Sequence, residues 1–400
     1  MFTTILYNRL SHMKAINSQI KRSLFPNSLS PELDLKNPYF SSHLITYIGN
    51  KRRLLTFLNK AFIDIQKKIG KDKLIVLDGF AGSGSVSRLL KAFAKELHVN
   101  DLEGYSLIVN KTYLANKSSF ELEKLIKYID WLNENKLKDD LPHNHFIEKN
   151  YAPKNDHKIK KGERVFFTNI NAKIIDNIRH LINEIPEPYK TFCNASLITK
   201  ASIHNNTSGI FKGFHKKDGI GHFGGKGENA LERIRKEISL EVPIFSDFEC
   251  PVFVYQEDTN KLVKDNKLPY FDLVYYDPPY NQHPYGSNYF MLNIIGKGKP
   301  EDIQDGVSGI SKSWNKSSYN KRRIAEEAMN DLIKHTNAKY ILISYNNEGI
   351  IPIEKFKTIL SSYGSWSLFE QDYNAYRGSR NLKNRNLKVR EMLWILEKTN

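Results

Sequence analysis

The chain of 400 residues has only two cysteines, Cys193 and Cys250. That is too few for a disulfide framework, and neither sits in the CxxC spacing used for zinc or dithiol chemistry. A reducing compartment fits such scarcity, and no metal-ligand set is expected. No apolar run reaches the roughly eighteen residues of a membrane span, and the first forty residues lack the apolar core of a secretory signal. The protein is therefore expected to be soluble, with no membrane partner. Acids are also sparse. Residues 1–31 contain none but carry Arg9, Lys14, Lys21 and Arg22, so residues 1–40 read as a basic N-terminal extension, a composition shared by transit peptides and disordered basic arms. Over the whole chain 44 Asp and Glu face 60 Lys and Arg, a net charge of +16. A polyanion-binding surface produces such an excess, which puts nucleic acid first among partners, although a Lys- and Asn-rich proteome shifts the balance the same way. There is no internal repeat and no phosphate-binding P-loop. Gly219 to Gly227 resembles one superficially, but Ile220 stands where the first glycine belongs and Gly227 follows Lys226 in place of Ser or Thr.

What is present alternates between strand and helix signals. Leu54, Leu55, Leu58, Ala61, Phe62 and Ile65 recur at helical spacing, with Gly70 as a stop. Leu74 to Leu77 is a short apolar run ending in Asp78, followed by a glycine-rich turn and then a helical pattern of Val86, Leu89, Leu90, Phe93 and Leu97. A second strand ends at Val99-Asn-Asp101. Later strands read at Leu273 to Tyr276, Tyr340 to Ser344 and Met392 to Leu396, and the alternation predicts an α/β sheet. Between about Asn133 and Pro251 strands become unclear while Asn, Lys, His and Gly accumulate. Gly84 and Asp277 are also much farther apart than two adjoining βα units require, so residues 133–250 read as an insertion.

Two segments carry chemistry. Asp78-Gly-Phe80-Ala-Gly82-Ser-Gly84 lies between a strand and a helix, where glycines let a ligand approach the backbone. Asp101 ends the next strand, where nucleotide-binding sheets place an acceptor for ribose hydroxyls, with Glu103 as the competitor for that role. The strand Phe271 to Tyr276 runs straight into Asp277-Pro278-Pro279-Tyr280. Proline fixes φ and restrains the residue before it, so the Asp277 carboxylate and the Pro278 carbonyl can be aimed at one spot. An aromatic amino group donates two N–H bonds while its lone pair is delocalised. Two acceptors are what would bind it and favour rehybridisation, and Tyr280 would stack on its ring.

These segments resemble the DNA N6-adenine methyltransferases of alpha motif order, which include Dam-type and type II restriction-modification enzymes, over about residue 44 to the C-terminus. Tyr47-Ile-Gly-Asn-Lys51 is similar to the family's first motif, usually Trp-Ala-Gly-Gly-Lys; Tyr47 replaces Trp, Asn50 replaces the second glycine, and Lys51 matches. The resemblance implies a Rossmann-like class I S-adenosylmethionine-dependent methyltransferase sheet. Residues 41–132 and 251–400 would form its catalytic domain and 133–250 its target-recognition region. It also implies S-adenosylmethionine as cofactor, double-stranded DNA as substrate with the target base flipped out, methylation at the N6 of adenine, a bacterial or phage-encoded cytoplasmic setting, and a cognate restriction endonuclease encoded nearby. By resemblance Tyr47 and Lys51 line the cofactor and target pocket. Asp78, Phe80, Gly82 and Gly84 cradle the methionine part, Asp101 holds the ribose, and Asp258 contacts the cofactor adenine. Asp277, Pro278 and Tyr280 bind the target, Asp277 at the boundary with the cofactor. Asn205 to Phe214 and the basic stretch Arg377, Arg380, Lys383, Arg385, Lys388 and Arg390 are expected at the DNA. An RNA-adenine or cytosine-N4 methyltransferase, and a catalytically dead DNA-binding scaffold, are the competing readings.

Overall fold

In a computed structural model, which describes residues 33–374 and 388–399 apart from Asp140, Lys226, Pro300 and Glu301, the first apolar stripe becomes the buried face of helix α1 (Leu55–Ile69). Gly70 ends it with a left-handed φ of +73°, its N–H donating to the Gln66 and Lys67 carbonyls. Strand β1 (Leu74–Asp78) follows, then the glycine turn and helix α2 (Ser85–Phe93). Here one expectation is corrected: Leu97 is not helical. Helix α2 stops at Phe93, and strand β2 (Ala94–Asn100) begins at the next residue with no loop. Leu97 happens to continue the helical spacing of Leu90 and Phe93, but with Val99 it obeys the two-residue period of a strand.

The remaining strands of the main sheet are β3 (Val252–Tyr255), β4 (Phe271–Tyr276), β5 (Ala338–Asn346), β6 (Gly364–Asn374) and β7 (Lys388–Lys398), in spatial order β3-β2-β1-β4-β5-β7-β6. Strands β3, β2, β1, β4 and β5 are mutually parallel, while β7 runs antiparallel to both its neighbours, β5 and β6. Alternate residues of β4 enter different cores. Leu273 and Tyr275 pack with α1 and α2 on one face. Val274 and Tyr276 pack with helices α8 (Ala325–His335) and α9 (Ile353–Ser361) on the other. Burial on both faces is why β4 reads as a largely apolar run, and a buried side chain such as Leu273 or Val274 contributes about 1.5–3 kcal/mol.

Between β2 and β3 the chain is helical: α3 (Gly104–Tyr113), α4 (Leu122–Asn135), α5 (Asn169–Leu181) and α6 (Tyr189–Ile203) share one core with α7 (Phe290–Lys297). The long return from residue 204 to 251 has little regular structure apart from a two-residue ribbon pairing Lys216–Lys217 with Ile220–Gly221 and a short helix, Leu231–Arg235. Its buried backbone groups are satisfied by asparagine side chains. Asn171 donates to the Ile234 and Lys236 carbonyls and accepts from the Ile238 N–H. Asn133 brackets Leu240 and Asn206 bridges Val165, His222 and Gly224 in the same way. Among the described residues no helix is long and apolar enough to cross a membrane. Substituting Asn171→Ala strands two buried backbone groups and one part-buried carbonyl, and urea denaturation is expected to show a loss of about 2–3 kcal/mol; an unchanged midpoint would mean that the segment can rearrange to satisfy them.

Candidate active site

The carboxyl ends of β1 and β4, neighbours at the centre of the sheet, open onto a cavity of about 880 Å³, counting the part open to solvent. Its floor is the turn between β1 and α2. Asp78 is buried at the strand end, its Oδ2 accepting from Ser87 Oγ at 2.6 Å, and burial pushes its carboxyl up to about 7. Gly82 and Gly84 both have positive φ, and a Cβ on Gly82 would sit 2.9 Å from the Tyr47 ring while one on Gly84 would strike the Asn110 side chain. Glycine is therefore required at both positions on two counts. Asp101 follows β2 and holds the turn: its Oδ2 accepts from the Gly82 N–H at 2.7 Å and its Oδ1 from the Glu103 N–H at 2.9 Å. Burial raises Asp101 to about 6 and Glu103 to about 7. Glu103 receives Asn293 Nδ2 at 2.6 Å and Asn315 Nδ2 at 3.3 Å.

The opposite wall is Tyr47 to Lys51. Tyr47 stacks on Tyr285 and Tyr289 with centroids 4.9 and 4.8 Å apart and accepts a hydrogen bond from Tyr105 Oη. Asn50, where the family motif has glycine, caps the turn Lys51–Leu54 and ties it to the glycine loop through Ser83 and Ser85. Lys51 is 3% exposed, its Nζ lying 2.9 Å from Asp277 Oδ1 and 3.3 Å from Glu391 Oε1. Burial alone would lower the ammonium, but the two carboxylates raise it well above the ordinary lysine range. Burial likewise lifts Asp277 to about 6, with Lys51 pulling it down and Glu391 pushing it up.

Of the residues expected from sequence, Tyr47, Lys51, Asp78, Phe80, Gly82, Asp101, Asp258 and Asp277 all line this one cavity. Gly84 sets the start of α2 behind it, and Asp258 also caps the short helix Thr259–Leu262 through the Lys261 N–H. Pro279 lines the cavity, whereas Pro278 and Tyr280 do not. Tyr280 lies beside Lys51, 5.4 Å from Nζ to ring centroid, and its carbonyl accepts from the Ile350 N–H. Sequence reasoning missed Glu391, which sits in a polar stretch of the C-terminal strand, and the segment Asn315, Ser317, Tyr319 and Asn320 that closes the cavity. The amides of Asn205 and Asn206, expected at base edges, are buried and engaged with the chain itself. In the basic stretch, residues 377, 380, 383 and 385 lie outside the described residues, as do residues 1–32, and Arg390 faces Glu370 and Asp372 on β6 at 3.6 and 3.5 Å.

The strand order, with one antiparallel strand inserted next to the edge, together with a ligand crevice at the carboxyl ends of β1 and β4, defines a class I S-adenosylmethionine-dependent methyltransferase fold. The family model of D12 class N6 adenine-specific DNA methyltransferases matches residues 47–359, and the chain belongs to that family. Among its relatives, type II methyltransferase M.NlaIII of Neisseria lactamica is 30% identical over 366 residues, covering 89% of this chain and 100% of that protein. Type II methyltransferase M.CviAII of Paramecium bursaria Chlorella virus 1 is 28% identical, covering 83% and 93%. Type II methyltransferase M.FokI of Planomicrobium okeanokoites is 27% identical, and there the match spans 52% of the longer protein.

A buried carboxyl whose folded value is raised stabilises the fold only while protonated, so its contribution is complete below the unfolded value near 4 and lost as pH rises through the folded value. For Asp78 that window runs from about 4 to about 7. The melting temperature of the ligand-free protein is expected to fall less between pH 5 and 8 in Asp78→Asn than in the wild type, as scanning calorimetry can check.

Proposed function

We propose that this protein transfers a methyl group from S-adenosylmethionine to the N6 of adenine at a specific site in double-stranded DNA, as the modification enzyme of a type II restriction-modification system with a cognate endonuclease. The observation that carries this reading is the shared cavity: Asp277 at the end of β4, with Lys51 on its Oδ1, opens onto the same space as the glycine loop and Asp101. The residues suit the cofactor. Gly82 leaves room that a Cβ would fill, Asp101 and Glu103 offer acceptors for ribose hydroxyls, and Phe80 and Asp258 line the same cavity for the adenine part. S-adenosylmethionine supplies, when bound, an electrophilic methyl group. The chain's own work is positioning and electrostatics. Lys51 engages one oxygen of Asp277, leaving Oδ2 to accept an N6–H bond, and Tyr280 and the Pro278 carbonyl, which stand beside the cavity and not in its lining, would meet the flipped base at its rim.

Burial of the site requires the target base to leave the duplex stack, at a cost of a few kcal/mol that stacking and hydrogen bonds offset. We assign target recognition to the helical region 133–250, and DNA-backbone contact to cations that supply most of the affinity. The reading is tested by expressing the chain in a methylation-free bacterium and sequencing the genome by a method that reports modified bases. N6-methyladenine in one short recurring word is expected; N4-methylcytosine, methylated RNA alone, or no modification from soluble protein would each refute it. Asp277→Ala should abolish that mark while retaining DNA affinity within about threefold, because phosphate contacts dominate binding.

Asp277 must be ionised to accept N6–H. In the wild type kcat/KM should therefore fall as pH drops through about 6, the value to which burial raises this carboxyl. A profile flat down to pH 5 would show that Asp277 is not the acceptor.

A further inference from the structure

We infer that Glu391, on the antiparallel strand β7, is a positioning residue for methyl transfer: it tethers the Lys51 ammonium from a different strand than Asp277 and supplies the negative charge that leaves the trio with a net charge of −1. This rests on the reading of Asp277 as the N6 acceptor. Glu391 is 1% exposed, its Oε1 lies 3.3 Å from Lys51 Nζ, and the same oxygen accepts from Ser344 Oγ on β5. Its other oxygen, Oε2, is buried without a hydrogen-bond partner. A carboxylate serving only the fold would be a poor choice there, because an apolar side chain of similar volume fills such a position without an unsatisfied oxygen.

The electrostatics give the charge a use. When a neutral amine takes a methyl group from a sulfonium, positive charge moves from sulfur to nitrogen, towards Asp277. Lys51 and Asp277 alone are a neutral pair and offer little to that arriving charge. With Glu391 the trio is net anionic and already oriented, with Lys51 and Glu391 shielded from water, an arrangement that stabilises developing charge effectively. Lys51 also keeps Asp277 from rotating away from the pocket, and Glu391 keeps Lys51 from following any one carboxylate rotamer. The other titratable groups that feel this trio are Tyr275 on β4, Tyr280 and Tyr285 in the segment after it, and Asp78 on β1. Burial raises Tyr275 and Tyr285, and Glu391 is the carboxylate whose charge pushes Asp277 up from another strand.

Glu391→Gln keeps the shape and removes the charge. In the cofactor-free protein, carboxyl carbon-13 NMR of Asp277, assigned with Asp277→Asn, should show the acid titrating at lower pH in E391Q than in the wild type, because a neighbouring negative charge has gone. With cofactor and DNA, kcat should fall roughly ten- to a hundredfold with KM for DNA within about threefold of the wild type, and the acid limb of the rate profile should move to lower pH. Wild-type kcat, or an unmoved Asp277 titration, overturns the inference. Glu391→Asp keeps the charge but shortens the reach to Lys51; here the Asp277 titration should stay near wild type while kcat falls, and it is the variant to read if E391Q does not fold, with an undiminished kcat again counting against the tether. If the wild type itself makes no N6-methyladenine, the functional reading fails separately, and the Asp277 titration still decides whether Glu391 acts on it.

Discussion

An ammonium group that is 97% buried can stay charged only where carboxylates meet it, and Lys51 meets two, from strands β4 and β7. That requirement joins three parts of the chain more than a hundred residues apart. It also explains the one antiparallel strand. Because β7 runs against its neighbours, its first residues lie at the carboxyl end of β5, with Glu391 opposite Asn346 and Leu393 opposite Ser344. A parallel strand in that place would bring its last residues to the site. Lys51 is thus fully paired only when the C-terminal strands β6 and β7 have been added to the sheet, which makes a long-range strand pairing part of the charge balance beside the cavity.

The same cavity collects acids to an unusual degree. Asp78, Asp101, Glu103 and Asp277 all border it, and burial raises each of them above its ordinary range. Within the protein Lys51 compensates Asp277 and Lys297 acts on Glu103; otherwise these acids lean on neutral hydrogen bonds, from Ser87, from backbone N–H groups and from asparagine amides. A cationic occupant would restore the balance that burial removes. The glycine turn at the floor is designed for close approach, and the stacked Tyr47, Tyr285 and Tyr289 give one wall a rigid aromatic surface whose hydroxyls are already engaged with the backbone of Ile48 and with Tyr105.

Much of the sheet was legible in the sequence because its central strands are buried on both faces, which writes them as short apolar runs ending in acids. The strands that escaped, β3 and β6, are the two edges of the sheet; Phe253 and Phe369 are more than 40% exposed, and no clean alternation marks either segment. The site divides along similar lines. Residues bound to a turn of fixed shape, such as Gly82, Asp101 and Asp277, announce themselves by local spacing. Glu391 does not, because its role comes from strand pairing across the sheet, and in the linear chain it is one acid beside Arg390. Asn205 and Asn206 misled for the opposite reason: amides look available for bases until the fold turns them inward to satisfy a backbone with little regular structure.

That return, with little regular structure and held by Asn133, Asn171 and Asn206, bears on how the helical region and the cavity are connected. The helices between β2 and β3 do not form a core of their own. Ile174, Ile178, Leu197 and Ile198 pack in one cluster with Tyr105 of α3 and with Tyr289, Phe290 and Ile294 around α7. Tyr289 in turn stacks on Tyr47, whose ring lies against Gly82, and the Phe211 N–H donates to the Asn288 carbonyl in the segment after β4. Close-packed interiors shift as units and resist continuous deformation. The helical region and the Tyr47 wall of the cavity are therefore parts of one packed body, so a shift of the helices between β2 and β3 bears on the same core that sets the width of the cavity at Tyr47.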